Sequence, residues 1–350
     1  MSRNLFPLSL TATLMAGTAM ADMPRVAADI APVHSLVSRV MEGVGQPGLI
    51  VPPGASPHEY SLRPSEAEML QQADLVFWIG ADLTPWMAGA IETLAGDADV
   101  TTLLEVKDVT LLDFREDALF EAHSHDDDGE HDHDHEEHAE AKADDHDHEE
   151  HAEGHDHDSD HEEHAEAEAH AHDHDHDHAH GAHDPHAWLS PQNAAVWLNV
   201  IAAELSAADP DNAGTYFANA AAAREELAAV SAEVNATLEP VRGGRFIVFH
   251  DAYQYFEAAF DFPAAGAISL SDATDPSPAR IAEIRDRVAE ERIGCVLAEP
   301  QFNQGIVAVV MEETEANTAV LDPLGSDLEP GPGLYPQVLR NLAGSLASCL

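Results

Sequence analysis

Basic residues are scarce. The 350-residue chain has 15 lysines and arginines against 66 aspartates and glutamates, a formal net charge of −51. A surface of that sign repels phosphate backbones and anionic headgroups, which excludes nucleic acid and anionic membrane surfaces as partners. Long apolar runs are scarce too: beyond the N-terminal stretch, no segment is apolar for long enough to span a bilayer. Cysteine is limited to Cys295 and Cys349, and neither follows the N-terminal apolar stretch, so the cysteine of a lipoprotein leader is missing. The metalloprotease motif H-E-x-x-H does not occur. Between residues 123 and 183 there is no Val, Ile, Leu, Phe, Trp, Tyr or Met.

The N-terminus, MSRNLFPLSLTATLMAGTAMAD, has the parts of a cleaved export signal: Arg3, an apolar stretch over residues 5–16, and Ala19-Met20-Ala21 before the cut. Residues 1–21 are therefore expected to be removed, leaving a mature chain in the periplasm. In that oxidising compartment Cys295 and Cys349 are expected to pair, closing a long loop worth roughly 4 kcal/mol of chain entropy.

The apolar-free tract over residues 123–183 holds 20 of the 24 histidines and 25 acidic residues against one lysine. It cannot bury apolar surface to offset the entropy of ordering, so it is expected to be disordered when metal-free. Its many imidazoles, among them His131, His133, His135, His172, His174, His176 and His178, suit weak and exchangeable metal sites. Outside it the chain is an ordinary acidic globular sequence, and the 44% apolar fraction suffices for a core.

Short apolar runs fall at residues 25–29, 49–51, 75–79, 101–104, 245–249, 295–298 and 319–321, the pattern of buried parallel strands. Helical stretches lie between them at 33–41, 64–72, 191–207 and 278–291; Ser190-Pro191 and Ser277-Pro278 supply a cap followed by proline. The alternation predicts an α/β fold of βαβ units. Residues 211–238, rich in Ala and Glu, predict a helix of about 28 residues, roughly 40 Å long. It separates two groups of strands, as a connector between two α/β lobes would. The expected division is an N-terminal lobe over 22–209 carrying the tract, a connecting helix over 210–241 and a C-terminal lobe over 242–350.

Four histidines lie outside the tract. His58, in VPPGASPHEYSLRPSE, and His250, in GGRFIVFHDAYQYFE, both follow strands, and open α/β sheets bind ligands beyond the carboxyl ends of their strands. His186, in DPHAWLSP, has left the alternating tract for folded-type sequence. Asp322, in AVLDPLG, also ends a strand. His34 lies in the first turn of a helix and reads as a surface residue. Three imidazoles drawn together favour zinc over harder manganese or magnesium, in a tetrahedral site completed by one further ligand. Glu299 and Gln301, in AEPQF, could orient those imidazoles or serve as loop hydrogen-bonding groups. Trp78, Trp86, Trp188 and Phe256 could wall a cleft or belong to the core.

The ordered segments SPHEYSLRPS, DPHAWLSP, FHDAYQYF, AEPQF and LDPLG resemble those of the zinc-specific, ZnuA-like periplasmic solute-binding proteins of ABC importers. The resemblance spans nearly the whole mature chain, including the His-rich insertion and the cysteine pair. It implies two lobes, each a parallel sheet flanked by helices, joined by one long rigid helix with metal in the cleft between them. It also implies the ligands His58, His186 and His250. Manganese-binding relatives carry a carboxylate where His250 stands. The fourth ligand stays open between water and Asp322, since Pro57 occupies the position where some members carry a glutamate. The implied role is zinc capture and delivery to the membrane subunit of an ABC permease, by a monomer, with no bond chemistry; a periplasmic zinc chaperone is a further candidate partner. Affinity should fall as pH drops through about 6.5, where free imidazoles take up protons. Three other readings remain: a zinc-dependent hydrolase with Glu299 as base, a soluble zinc buffer, and a manganese carrier.

Overall fold

The computed structural model describes residues 23–115, 183–269, 276–312 and 314–350. The expected leader and almost all of the His-rich tract, with its seven named histidines, lie outside the described residues.

Two four-stranded sheets share one topology, and every pairing in both is parallel. The first runs β2 (Gly48–Leu49), β1 (Val26–Ala28), β3 (Leu75–Trp78), β4 (Asp99–Thr102). The second runs β6 (Gly266–Ser269), β5 (Phe246–His250), β7 (Cys295–Ala298), β8 (Asn317–Val320). Helices α1 (Ala31–Val40), α2 (Pro64–Gln72), α3 (Pro85–Leu94) and α4 (Pro191–Ala208) belong to the first half of the chain. Helices α6 (Gln254–Phe260), α7 (Pro278–Glu290), α8 (Gln304–Met311) and α9 (Leu334–Cys349) belong to the second, and α5 (Ala213–Leu238) runs between the halves.

The central strands are buried on both faces, which is why they read as unbroken apolar runs. Alternate residues take opposite sides. Val26, Ala28, Leu75, Phe77, Phe246 and Val248 enter one core that continues through both halves of the chain. Ala27, Val76 and Trp78 face an outer cluster with Leu70 and Met87, and Ile247 and Phe249 face another with Ile284 and Val307. The edge strands fit the apolar pattern less well. β4 (DVTT) and β8 (NTAV) expose much of their length and start two residues before the predicted runs. β6 (GAIS), which no run predicted, is buried throughout, but only Ile268 among its four residues is large and apolar.

The predicted caps form. The Ser190 hydroxyl accepts from Asn193 N at 3.2 Å, Ser277 does the same for Arg280 N, and proline follows each. α2 starts differently: the Glu66 carboxylate turns back to accept from Arg63 N at 2.7 Å, and the Tyr60 hydroxyl donates to it at 2.8 Å.

α5 has 26 residues, about 39 Å at 1.5 Å per residue. It packs on α1 and α4 from the first half and on α9 from the second. α9 also packs on α1: Tyr335 N donates to Ser35 Oγ at 2.9 Å, and the Tyr335 hydroxyl donates to the Trp188 carbonyl at 2.6 Å. The Cys295–Cys349 disulfide, Cα–Cα 5.7 Å, fastens the end of α9 to β7.

Candidate metal centre

Three loops meet between the sheets. The first follows β2. Its Pro57 carbonyl accepts the Trp86 indole N–H at 2.7 Å, and Tyr60 packs against the Trp86 ring. That fixes the loop at the residue before His58, which remains half-buried while Glu59 faces solvent. The second loop leaves Asp184 and enters a 3₁₀ turn at Ala187–Leu189; His186 precedes that turn and is buried. The third is the end of β5, where His250 is the last residue and is also buried.

The three side chains converge. His186 Nε2 stands 3.3 Å from His58 Nε2 and 3.4 Å from His250 Nε2, and potential ligand atoms of all three lie within 4.8 Å of one another. Two of the rings have a defined tautomer. His186 Nδ1 lies 2.7 Å from Asp184 Oδ1, and His250 Nδ1 lies 2.7 Å from Glu299 Oε1. A carboxylate accepts, so each Nδ1 carries the proton and each Nε2 presents a lone pair. Lone pairs facing one another at van der Waals range repel, and a cation between them reverses the sign of the interaction.

The spacing also suits tetrahedral coordination. Around a tetrahedral ion with metal–nitrogen bonds of about 2.0–2.1 Å, ligand nitrogens stand roughly 3.3–3.4 Å apart; right-angle coordination at that bond length brings them to roughly 2.9 Å. The observed separations match the tetrahedral edge. The free space beside the rings is about 20 Å³, room for one small ion or one water, and Trp188, Phe302, Pro323 and Leu324 wall it.

Burial shapes the electrostatics. It holds His186 well below the ordinary imidazole value, with the charge of His250 adding to the effect. Burial pushes Asp184 up to about 7, against the His186 amide, the Gln254 amide and the more distant Arg115, which pull it down. The neutral imidazole, the form able to take up a metal, is therefore the resting form of His186.

Asp322 stands apart from this group. Its Oδ1 accepts from Leu324 N at 3.1 Å and Gly325 N at 2.9 Å, and its Oδ2 accepts from Ser326 N. The carboxylate closes the turn that carries Pro323 and Leu324 to the pocket wall, and the Pro323 carbonyl accepts the Trp188 indole N–H at 2.9 Å. Gln301 lines the pocket but donates to Ser326 Oγ at 2.9 Å and to Asp322 Oδ1 at 3.3 Å, not to an imidazole. Trp188 walls the site. Trp86 anchors the His58 loop, Trp78 sits in the outer cluster of the first sheet, and Phe256 is core. His34, read as a surface residue, is buried in α1 with Nε2 3.2 Å from the Pro47 carbonyl. The sequence reading missed Asp184 as the carboxylate that aims His186. Its one signal is the D-P-H spacing, where a proline breaks the alternating tract.

The family model for the zinc-uptake complex component A, periplasmic, matches residues 26–349. The high-affinity zinc uptake system protein ZnuA of Brucella abortus (strain 2308) is 45% identical over 352 residues, covering 99% of each chain. The protein of that name in Paracoccus denitrificans (strain Pd 1222) is 43% identical over 349 residues, covering 98% of each. Among solved structures, the periplasmic zinc-binding protein TroA from Treponema pallidum matches with a TM-score of 0.68 over 93% of this chain and 98% of that one; at 16% identity the likeness shows the fold alone.

Proposed function

The chain belongs to the family of periplasmic zinc-uptake complex components A, and from that premise we propose that it captures one zinc ion with His58, His186 and His250 and delivers it to the membrane subunit of an ABC permease. The observation that carries the reading is the Nε2 spacing of 3.3 and 3.4 Å among three imidazoles from separate loops, two of them oriented by buried carboxylates. Water takes the fourth position, because the Asp322 oxygens are occupied by their own turn. The protein works in the periplasm after loss of residues 1–21, as a monomer with lobes over 22–209 and 242–350 and the connecting helix over 210–241. The tract over 123–183 holds further zinc weakly and raises the local metal concentration beside the tight site. Capture is favoured over hydrolysis because the family is one of zinc-uptake components, and Glu299, the candidate base, has Oε1 bound to His250 Nδ1.

Isothermal or chelator-competition titration of the wild type, a deletion of residues 123–183, and His58→Ala, His186→Ala and His250→Ala tests this. The wild type should show one tight site above a set of weak ones. The deletion should keep the tight site and lose the weak ones, and each alanine variant should lose the tight one. A deletion that abolishes tight binding would end the assignment.

A further inference from the structure

Helix α6 starts four residues after His250, and its first turn grips the segments on either side of the tract. The Gln254 amide donates to the Asp113 carbonyl at 2.9 Å and to Asp184 Oδ2 at 3.3 Å. The Tyr255 hydroxyl donates to the Asp184 carbonyl at 2.8 Å and accepts from Leu112 N at 3.0 Å. One turn further on, Glu257 accepts from Arg115 at 2.8 and 3.0 Å, and the same guanidinium binds Asp251, the neighbour of His250. The segments over 112–115 and 183–184 are thus held by the element that continues from His250.

Asp184 is the junction. Its Oδ1 takes the His186 Nδ1 proton at 2.7 Å and the His186 amide at 2.9 Å, and its Oδ2 takes the Gln254 amide. The Asp184 side chain is almost wholly buried, so solvent is not a ready substitute for that last donor. Without it the carboxylate is held through Oδ1 alone, by the residue it aims, and has no contact that ties it to the His250 element.

We propose that Gln254 is a positioning residue of the metal centre. It fixes Asp184 so that His186 presents Nε2 to the ion, and it does so from the element bearing His250, which sets the angle between the two buried ligands. The inference rests on the zinc-capture reading and adds a residue to it. Groups that orient metal-bound histidines typically alter affinity by 10–100-fold, and Gln254 acts one contact further out, so about tenfold is expected.

The test uses the full chain with Gln254→Met, which keeps the length and removes the donor, and with Gln254→Glu, which sets a second carboxylate against Asp184. Zinc affinity is measured by chelator competition, the visible spectrum of the Co²⁺ form reports ligand geometry, and the melting temperature of the metal-free chain reports folding. Gln254→Met should bind zinc about tenfold more weakly with shifted Co²⁺ bands, and should still unfold in one cooperative transition at a somewhat lower melting temperature, since a buried Asp184 oxygen loses its donor. Gln254→Glu should bind more weakly than Gln254→Met. Wild-type affinity and an unshifted Co²⁺ spectrum in Gln254→Met would overturn the proposal, as would a Gln254→Glu chain that binds zinc no more weakly than Gln254→Met. The wild type and His186→Ala are titrated alongside. A wild type without a tight site ends the zinc-capture reading, whereas a tight wild type with an equally tight Gln254→Met ends this inference alone.

Discussion

Glu299 Oε1 accepts twice from one residue: from His250 Nδ1 at 2.7 Å and from the His250 amide at 3.2 Å. Side chain and backbone of His250 are therefore fixed by a single buried oxygen at the end of the neighbouring strand. Glu299→Gln keeps the shape and discharges the acceptor. Zinc affinity should fall by roughly tenfold, toward the range typical of carboxylates behind metal-bound histidines. Chelator competition reads it, and a change within twofold would remove Glu299 from the machinery.

The pH dependence follows from His186. Burial holds its folded pKa below the unfolded value of about 6.5. The unfolded chain thus takes up a proton there that the folded chain refuses. The residue's contribution to stability is complete above that value and is lost as pH falls toward the folded pKa. Zinc meets the same proton competition. Three imidazoles at the unperturbed value would cost a site about eightfold in affinity at pH 6.5, half of each being protonated; a His186 that stays neutral there removes its own twofold share of that loss. The steep decline then lies lower than free imidazoles suggest. Competition titrations of the tract-deleted chain from pH 8 to 5 check this, and a loss of eightfold or more by pH 6.5 would contradict it.

Arg115 binds both Asp251 and Glu257, whose side chains are almost fully buried. Even beside this cation, burial pushes Asp251 up to about 7. Arg115→Leu leaves two buried carboxylates facing each other, and loss of one partner from a buried pair costs about 3–5 kcal/mol. Denaturant unfolding of the metal-free chain should register a loss of that size at pH 7.5. It should shrink at pH 5, where Asp251 is protonated. A loss below 1 kcal/mol would mean that water replaces the guanidinium.

The disulfide joins the first residue of β7 to the last turn of α9 across 54 residues of sequence. Cys349→Ser should lower unfolding free energy by about 2–5 kcal/mol while leaving zinc affinity within about threefold, since loss of the bridge leaves every hydrogen bond to the imidazoles in place. A large fall in affinity at unchanged stability would reverse that order of effects.

How far the sequence discloses this molecule depends on where each residue sits. β1, β3, β5 and β7 are legible because burial on both faces demands continuous apolar residues. β4 and β8 are displaced from the predicted runs because an edge strand such as Asn317–Val320 keeps polar, half-exposed positions. α9 escaped because Pro336 and Gly344 interrupt its apolar period, although Pro336 falls in the first turn, where proline is tolerated. The strand-end rule led to His58 and His250, and it led equally to Asp322, whose following Pro-Leu-Gly-Ser lets the side chain cap its own turn. Asp184 was hidden among acidic neighbours; from sequence alone, nothing separates a carboxylate that aims a ring from one that faces water.

The return of α9 to α1 has a mechanical consequence. Tyr335, from α9, reaches Ser35 in α1 and the backbone of Trp188 beside the three imidazoles. Spreading the halves like the shells of a clam would pull that tyrosine from its partners and wet the apolar seam behind it. Of the three converging imidazoles, His58, on the short loop over residues 52–60, is the one that solvent already reaches.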